Sequence, residues 1–284
     1  MATFFNQATL SYDGNTINSN IVTGEIVREL SAAKTAVVDT YRSDGEITYI
    51  ISLVNSGSTT FSNLTVTDNL GAYSFGTDTL VPLTYVEDSV KYYVNGVLQA
   101  APAVSTTPEL EFSGINVPAS GNAIIVYAVR VNEFAPLGTD GAINNEISVN
   151  GDLLAEPIVA EETVNAFNEA ELEITKSLSP QNVPINGQLT YTFVISNSGN
   201  VSVPATSNAV VTDVFDPILS DIVVVLNGTT LTSPDNYTYN EATGEFATVP
   251  GVITVPAATQ TQDPETGIWT TIPAESTLTV TGRI

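Results

Sequence analysis

Short runs of alternating apolar and polar side chains are the dominant pattern along the chain. In residues 171–178 the positions Leu172, Ile174 and Lys176 share one phase of the alternation. Because successive side chains of a strand face opposite sides, this phase predicts a β-strand whose core face carries a lysine among aliphatic residues. A buried ammonium group is costly unless it is paired, neutralised or chemically consumed. Lys176 is therefore the first candidate for chemistry.

The same succession of strands and turns occurs twice. Each copy opens on an inward lysine and continues with a Gly-started strand, an Asn-Ser-Gly turn and a strand that ends in aspartate. These features are Lys34, residues 45–52, residues 55–57 and Asp68 in the first copy, and Lys176, residues 187–193, residues 197–199 and Asp213 in the second. Short alternating strands separated by turns predict an all-β protein with two tandem immunoglobulin-like β-sandwich domains. We place them at residues 30–150 and 171–284.

The two copies end differently. The first copy continues past Val131 to a last strand at residues 143–149, whereas the second stops at Ile284, the position equivalent to Val131. The second sandwich is therefore expected to lack its last strand. Residues 1–14 resemble that strand and are predicted to be an N-terminal donor strand. Residues 15–29 and 151–170 are then expected to be equivalent linkers.

A sandwich without its last strand exposes its core and an unpaired edge, which promotes aggregation unless another strand fills the gap. The N-terminal strand of another copy can fill it, as in donor-strand complementation. Head-to-tail exchange of this kind gives an open filament when the rotation between subunits does not close a ring. The expected partners are other copies of the same chain, and further appendage proteins are also conceivable partners.

Three kinds of polar residue recur at inward positions of the predicted strands. They are Lys34 and Lys176, Asp68 and Asp213, and Asn6 and Asn145. These residue types suit the spontaneous formation of a Lys–Asn isopeptide bond. We expect Lys34 to join Asn145 within the first domain with Asp68 as proton shuttle. Lys176 is expected to join Asn6 of a neighbouring subunit with Asp213 as proton shuttle.

Burial favours this reaction in three ways. Desolvation lowers the pKa of a lysine and makes the neutral amine accessible. A carboxyl group kept protonated by an apolar site can polarise the asparagine carbonyl and move the proton as ammonia leaves. The fold supplies proximity. The alternative is that both lysines extend to a sheet edge or form ordinary buried salt bridges with Asp68 and Asp213.

Composition excludes several functions. The chain has 31 acidic and 7 basic residues, a net charge of −24, which disfavours binding to nucleic acid or an anionic membrane. It contains no histidine and no cysteine, so His- or Cys-dependent catalysis, His or Cys metal ligation and disulfides are excluded. We predict no cofactor and no metal site. No enzymatic activity is expected beyond autocatalytic bond formation.

The repeated motifs resemble the bacterial surface-repeat family known as domain of unknown function eleven. The resemblance rests on Ile-Thr-Lys at 174–176, Gly-Gln-Leu-Thr-Tyr at 187–191, Asn-Ser-Gly at 197–199, Val-Thr-Asp at 211–213, Val-Pro-Ala at 117–119 and the Asn-containing strand at 144–149. The first copy departs from it with Ala-Ala-Lys at 32–34. The resemblance implies an immunoglobulin-like fold and an extracellular location. A two-copy chain of this kind also resembles clostridial endospore appendage subunits.

The first residues bear on where the protein is made. Residues 1–6 lack the basic and apolar regions of a signal peptide. Either a leader has been removed, or the protein is made inside a mother cell and released by another route. We therefore expect a structural subunit of an extracellular or spore-surface fibre. The alternative is a monomeric surface adhesin or carbohydrate-binding module whose N-terminal strand folds back into its own second domain.

Overall fold

The computed structural model describes residues 2–26 and 29–284. In these residues the protein is all-β apart from one short 3-10 helix, Ala205–Ser207. The predicted fold class is therefore confirmed. No helix in the described part of the chain has the length and hydropathy needed to cross a membrane.

The N-terminal segment forms a hairpin of its own, which we call the N-terminal hairpin. Its strands are β1 (Ala2–Asn6), β2 (Thr9–Tyr12), β3 (Asn15–Asn18) and β4 (Val22–Ile26). β1 pairs with β4 and β2 pairs with β3, both antiparallel. The two-residue turn between β2 and β3 has positive φ at Asp13 and Gly14. Asp-Gly suits such a turn, because both central residues of a type I′ hairpin turn require positive φ.

Both segments predicted as linkers contain strands instead. β3 and β4 lie within residues 15–29, and another strand, Ile158–Ala166, lies within residues 151–170. The second of these alternates Ile, Ala, Glu, Val and Ala along its inward phase. Small and acidic residues weaken the alternation, so cross-strand pairing decides the conformation here.

The first domain is a sandwich of two six-stranded sheets. Its strands are β5 (Leu30–Ala36), β6 (Thr40–Tyr41), β7 (Glu46–Asn55), β8 (Phe61–Asp68), β9 (Tyr73–Phe75), β10 (Asp78–Leu80), β11 (Leu83–Tyr85), β12 (Lys91–Val94), β13 (Val97–Leu98), β14 (Ala103–Ser105), β15 (Leu110–Val117), β16 (Asn122–Val131), β17 (Ala142–Asn150) and β18 (Ile158–Ala166). One sheet has the order β13-β12-β16-β7-β5, with β11 also on β16, and the other has the order β14-β15-β8-β17-β18-β6. Inward residues such as Ile51, Phe112 and Ile147 fill the space between the sheets and are fully buried.

The second domain repeats this plan with fewer strands. Its strands are β19 (Leu172–Ser179), β20 (Gln188–Asn197), β21 (Thr212–Val214), β22 (Ser220–Leu226), β23 (Thr229–Thr230), β24 (Tyr237–Tyr239), β25 (Glu245–Thr248), β26 (Thr259–Gln262), β27 (Trp269–Ile272) and β28 (Ala274–Arg283). One sheet has the order β19-β20-β28-β22-β23 and the other the order β21-β25-β24. β26 and β27 form a separate hairpin.

The sheets of the two domains correspond in strand order, except beside β21 of the second domain. β19, β20 and β28 correspond to β5, β7 and β16, while β21, β25 and β24 correspond to β8, β15 and β14. In the first domain β8 pairs with β17, and β17 pairs with β18. Within residues 2–26 and 29–284, no strand occupies either place beside β21. In the described residues, β21 is therefore an unpaired edge at the place where the first domain has β17 and β18.

Candidate cross-linking site

Lys34 and Asp68 meet in the core of the first domain, as the strand phases predicted. Lys34 lies on β5 and Asp68 ends β8, so the pair joins the two sheets. The Lys34 Nζ donates to Asp68 Oδ2 over 2.8 Å, and both side chains are fully buried. A proton can pass between amine and carboxylate along this hydrogen bond.

Asp68 receives two further hydrogen bonds that fix its orientation. The Tyr127 hydroxyl also donates to Oδ2, and the backbone N–H of Leu70 donates to Oδ1 over 2.8 Å. The Tyr127 ring stacks on that of Tyr49 at a centroid distance of 5.9 Å. The Lys34 Nζ lies 4.7 Å from the Tyr49 ring centroid. Two tyrosines that the strand pattern did not single out thus border the Lys34–Asp68 pair.

Asn145 is placed on the core face of β17, next to Asp68. Ile147 stands opposite Asp68 across the β17–β8 pair, and Asn145 precedes Ile147 by two residues on the same face. Its side chain is fully buried, and in the described residues neither its amide nitrogen nor its amide oxygen has a hydrogen-bond partner. Buried amides are nearly always hydrogen-bonded, so this one is costly as it stands.

Burial changes the acid–base chemistry of this site. Desolvation lowers the pKa of Lys34 to about 8, although the Asp68 charge and hydrogen bond act in the opposite direction. Desolvation also raises the pKa of the Tyr127 hydroxyl well above its ordinary value. The lowered pKa makes the neutral amine, the form that can attack a carbonyl, more accessible at neutral pH than in an exposed lysine. The proton-shuttle role of Asp68 stays a prediction.

The equivalent pair in the second domain has the same contact but a different environment. The Lys176 Nζ donates to Asp213 Oδ2, and Asp213 Oδ1 accepts from the Val214 N–H over 2.9 Å. The Lys176 side chain is 40% exposed, against 0% for Lys34. The sequence predicts that Lys176 faces the core with the apolar residues of its phase; in this structure it reaches Asp213 but remains partly exposed. Its ammonium lies 4.5 Å from the Tyr191 ring centroid.

The strand that carries Lys176 borders an open groove, which we call the acceptor groove. Leu172 and Ile174 on β19 are 47% and 55% exposed, whereas Leu30 on the equivalent β5 is 2% exposed. The groove has a volume of about 190 Å³. It is lined by Leu172, Glu173, Ile174, Ile195, Ala209, Val210, Val211, Ile253 and Val255. An apolar groove along a sandwich core is the surface that a missing strand leaves.

Asn6 is not joined to Lys176 within this chain. It lies at the end of β1, exposed to solvent and opposite Val22 of β4. The strands of the N-terminal hairpin pair with one another, and none of them enters a sheet of the second domain. The fold-back arrangement is therefore absent from this structure. Asn6 therefore lies outside the Lys176–Asp213 pair in this structure.

The described residues contain no group of three or more acidic side chains able to hold a metal ion. The groups at the first-domain site are the Lys34 amine, the Asp68 carboxyl, the Asn145 amide and the phenols of Tyr49 and Tyr127. In the first domain the structure assembles all four. In the second it assembles the amine and the carboxyl and leaves the place of the amide open.

Comparisons with known proteins gave structural similarity only. No family model and no curated protein matches the chain. The major pilin subunit of Bacillus cereus is 11% identical over 97% of this chain and 73% of its own, with a TM-score of 0.39. The pilus backbone of Streptococcus pneumoniae is 12% identical over 87% of this chain, which spans 55% of the pilus protein, with a TM-score of 0.36. A collagen-binding domain of a Staphylococcus aureus adhesin is 10% identical over 50% of this chain and 99% of the domain, with a TM-score of 0.31. The function proposed below rests on the geometry of this chain.

Proposed function

We propose that the protein is a structural subunit of an extracellular or spore-surface fibre. Its N-terminal segment enters the second sandwich of a neighbouring subunit by donor-strand complementation. A Lys176–Asn6 isopeptide bond then joins the two subunits, and a Lys34–Asn145 bond locks the first domain. One observation carries the proposal. The Lys34–Asp68 pair is fully buried in the first domain, where β17 pairs with β8, whereas the equivalent Lys176–Asp213 pair is partly exposed in the second domain, where β21 has no such partner in the described residues.

Both bonds follow the same balanced reaction. The neutral lysine Nζ attacks the asparagine Cγ, the new N–C bond forms and the C–N bond to the amide nitrogen breaks. The amine proton passes through Asp68 or Asp213 to that nitrogen, which leaves as ammonia. The products are a neutral secondary amide and one ammonia molecule, and no oxidant or cofactor takes part. The cost of burying an ammonium is thereby removed.

The first domain supports this chemistry with its unsatisfied amide. Asn145 is buried without a hydrogen-bond partner in the described residues, beside an aspartate that already holds Lys34. In the second domain, Lys176 has its carboxyl partner but no amide. An extracellular location accords with the net charge of −24, because such charge keeps free subunits soluble and apart.

Denaturing electrophoresis of the purified full-length protein tests the polymer. We expect a ladder that resists boiling and reduction. Lys176→Ala should abolish the ladder, because it removes the amine that joins subunits. Lys91→Ala is the matched control, because Lys91 is an exposed lysine on β12, and it should leave the ladder intact. A ladder from Lys176→Ala would contradict the site assignment, and a monomer band from the wild type would contradict the covalent polymer.

A further inference from the structure

We propose that the donor is the whole N-terminal hairpin, with β1 and β2 as one arm and β3 and β4 as the other, and not a single strand. This inference rests on the proposed function and specifies its partner surface. In a neighbouring subunit's second domain, β1 and β2 would take the place that β17 holds in the first domain. β3 and β4 would take the place of β18.

The position of the hairpin along the chain supports this assignment. β17 and β18 form an antiparallel pair directly before β19, the first strand of the second domain. The N-terminal hairpin lies directly before β5, the first strand of the first domain. In a head-to-tail polymer, every sandwich would then be completed by the hairpin that precedes the next sandwich.

The registers of the two hairpins agree within each ladder, and the N-terminal hairpin has one additional residue between its β2–β3 and β1–β4 ladders. Asn145 stands opposite Glu162 and Val149 stands opposite Ile158. When Asn6 is aligned with Asn145, Leu10 takes the place of Val149. Its partner Ile17 then takes the place of Ile158. Val22, opposite Asn6, takes the place of Glu162.

One face of the hairpin is apolar on both strands. Residues directly opposite in an antiparallel pair point to the same side. Asn6 therefore shares a face with apolar residues from every strand of the hairpin. They are Phe4, Leu10, Ile17 and Val22, which are 53%, 64%, 52% and 55% exposed. A donor made of one strand would bury the first two and leave Ile17 and Val22 in water.

Gly24 on β4 also fits this arrangement. It takes the place of Val164, a fully buried residue of β18. The Phe4 ring lies so close to Gly24 that a Cβ at position 24 would clash with it. The phenyl ring thus fills the volume that a larger side chain at position 24 would need.

The acceptor groove requires the second strand. In the first domain β18 approaches β5 along more of its length than β17 does, so β18 is the main cover of β5. The equivalent strand β19 has no such cover, and Leu172 and Ile174 are exposed on it. A strand in the place of β17 alone would complete the edge of β21 and leave this part of the groove open.

Cysteine cross-linking distinguishes the two kinds of donor, since the chain has no cysteine. Every subunit in this experiment also carries Lys176→Met, so that only disulfides can join subunits covalently. The first mixture combines Thr9→Cys subunits with Thr212→Cys subunits. These positions correspond to Ser148 and Thr67, which stand opposite each other on β17 and β8. It reports on the first strand of the donor.

The second mixture combines Glu25→Cys subunits with Asn182→Cys subunits. These positions correspond to Asn165 and Thr40, which are partners in the parallel β18–β6 pair. Asn182 lies in the loop between β19 and β20, at the place that β6 holds in the first domain. At the spacing of neighbouring strands, such positions lie within the range of Cα separations that a disulfide spans. The second mixture reports on the second strand of the donor.

We expect both mixtures to give reducible dimers after oxidation. Thr16→Cys with Thr212→Cys is the control and should give none, because Thr16 lies on β3, away from the β21 edge. Cross-linking in the first mixture alone would overturn the two-stranded donor and leave strand exchange standing. Cross-linking in neither mixture would overturn the proposed strand exchange itself. If subunits with Lys176→Met assemble poorly, mass spectrometry of the same cysteine pairs in subunits that keep Lys176 provides a second readout.

Discussion

Two lysines at equivalent positions behave differently because of what covers them. Lys34 and Lys176 make the same contact with an aspartate at the end of an equivalent strand. Lys34 is sealed beneath β17 and β18, and its pKa falls to about 8. The Lys176 side chain is 40% exposed to solvent. The exposure of each lysine is therefore set by the strands around it.

The pH dependence of stability tests whether the Lys34 amine is consumed. In Asn145→Ala the amine stays free, with a folded-state pKa of about 8 against an ordinary value of 10.5. Between these values the unfolded chain binds more protons, so the free energy of unfolding should rise with pH. The slope is at most about 1.4 kcal/mol per pH unit.

The wild-type protein provides the comparison for this pH experiment. If Lys34 is an amide, it does not titrate, and urea unfolding at about pH 8 and about pH 9.5 should lack the additional slope. The pKa values of the Tyr41, Tyr49 and Tyr127 hydroxyls are raised by burial, so these groups stay protonated in the folded state over this pH range. An equal slope in both proteins would mean that the wild-type Lys34 is unbonded.

Tyr127 is the second residue-scale test. Tyr127→Phe removes the hydroxyl that donates to Asp68 and leaves the ring in place. A buried hydrogen bond to a carboxyl group is worth about 1–3 kcal/mol. Hydrogen exchange of the β8 and β16 amides should accelerate correspondingly. Tyr93→Phe, on the partly exposed strand β12, is the control, and an equal effect there would argue against a specific role for Tyr127.

At the scale of elements, alternation predicted the two sandwiches and the inward phases of Lys34, Asp68 and Asn145. It missed the strands in the supposed linkers, because β4 carries a glycine on its inward phase and β18 carries a glutamate there. These residues form strands only because a partner strand supplies the hydrogen bonds. Tyr127 was missed for another reason. It looks like any core aromatic until pairing places it opposite Tyr49.

Two adjacent hairpin positions test which face of β3 is buried on assembly. Ile17→Asp places a carboxylate on the apolar face, whereas Thr16→Asp places it on the opposite face. Both residues are exposed in the free subunit, so neither change should affect its folding. Burying even part of a carboxylate costs about 1–2 kcal/mol or more, so ladder formation by Ile17→Asp should slow about tenfold.

Thr16→Asp is the control for Ile17→Asp. It adds the same charge one residue away and should form the ladder at the wild-type rate. Equal slowing by both variants would indicate charge repulsion and not burial. No slowing by Ile17→Asp would place β3 outside the assembled interface.

At the scale of the whole molecule, charge opposes the association that the open sandwich favours. Each subunit carries a net charge of −24, so approaching subunits repel one another. Screening shortens the range of this repulsion from about 30 Å at 0.01 M salt to about 8 Å at 0.15 M. We therefore expect ladder formation to accelerate as sodium chloride is raised over this range.

Sucrose is the control for the salt experiment, since it does not screen charge. Ladder formation should respond to it far less than to salt. A rate that is independent of salt would indicate that association is limited by a step within the subunit, such as release of the hairpin, and not by encounter.

The central claim is that Asn6 of one subunit becomes covalently bound to Lys176 of another. Mass spectrometry of digests from polymer assembled with equal amounts of 15N-labelled and unlabelled subunits tests it most directly. The account predicts a peptide pair joined through Lys176 and Asn6, lighter by one ammonia, with mixed-isotope pairs making up about half of the total. Joined peptides that are only fully labelled or fully unlabelled would show a bond within one chain. The absence of any joined peptide would contradict the covalent fibre.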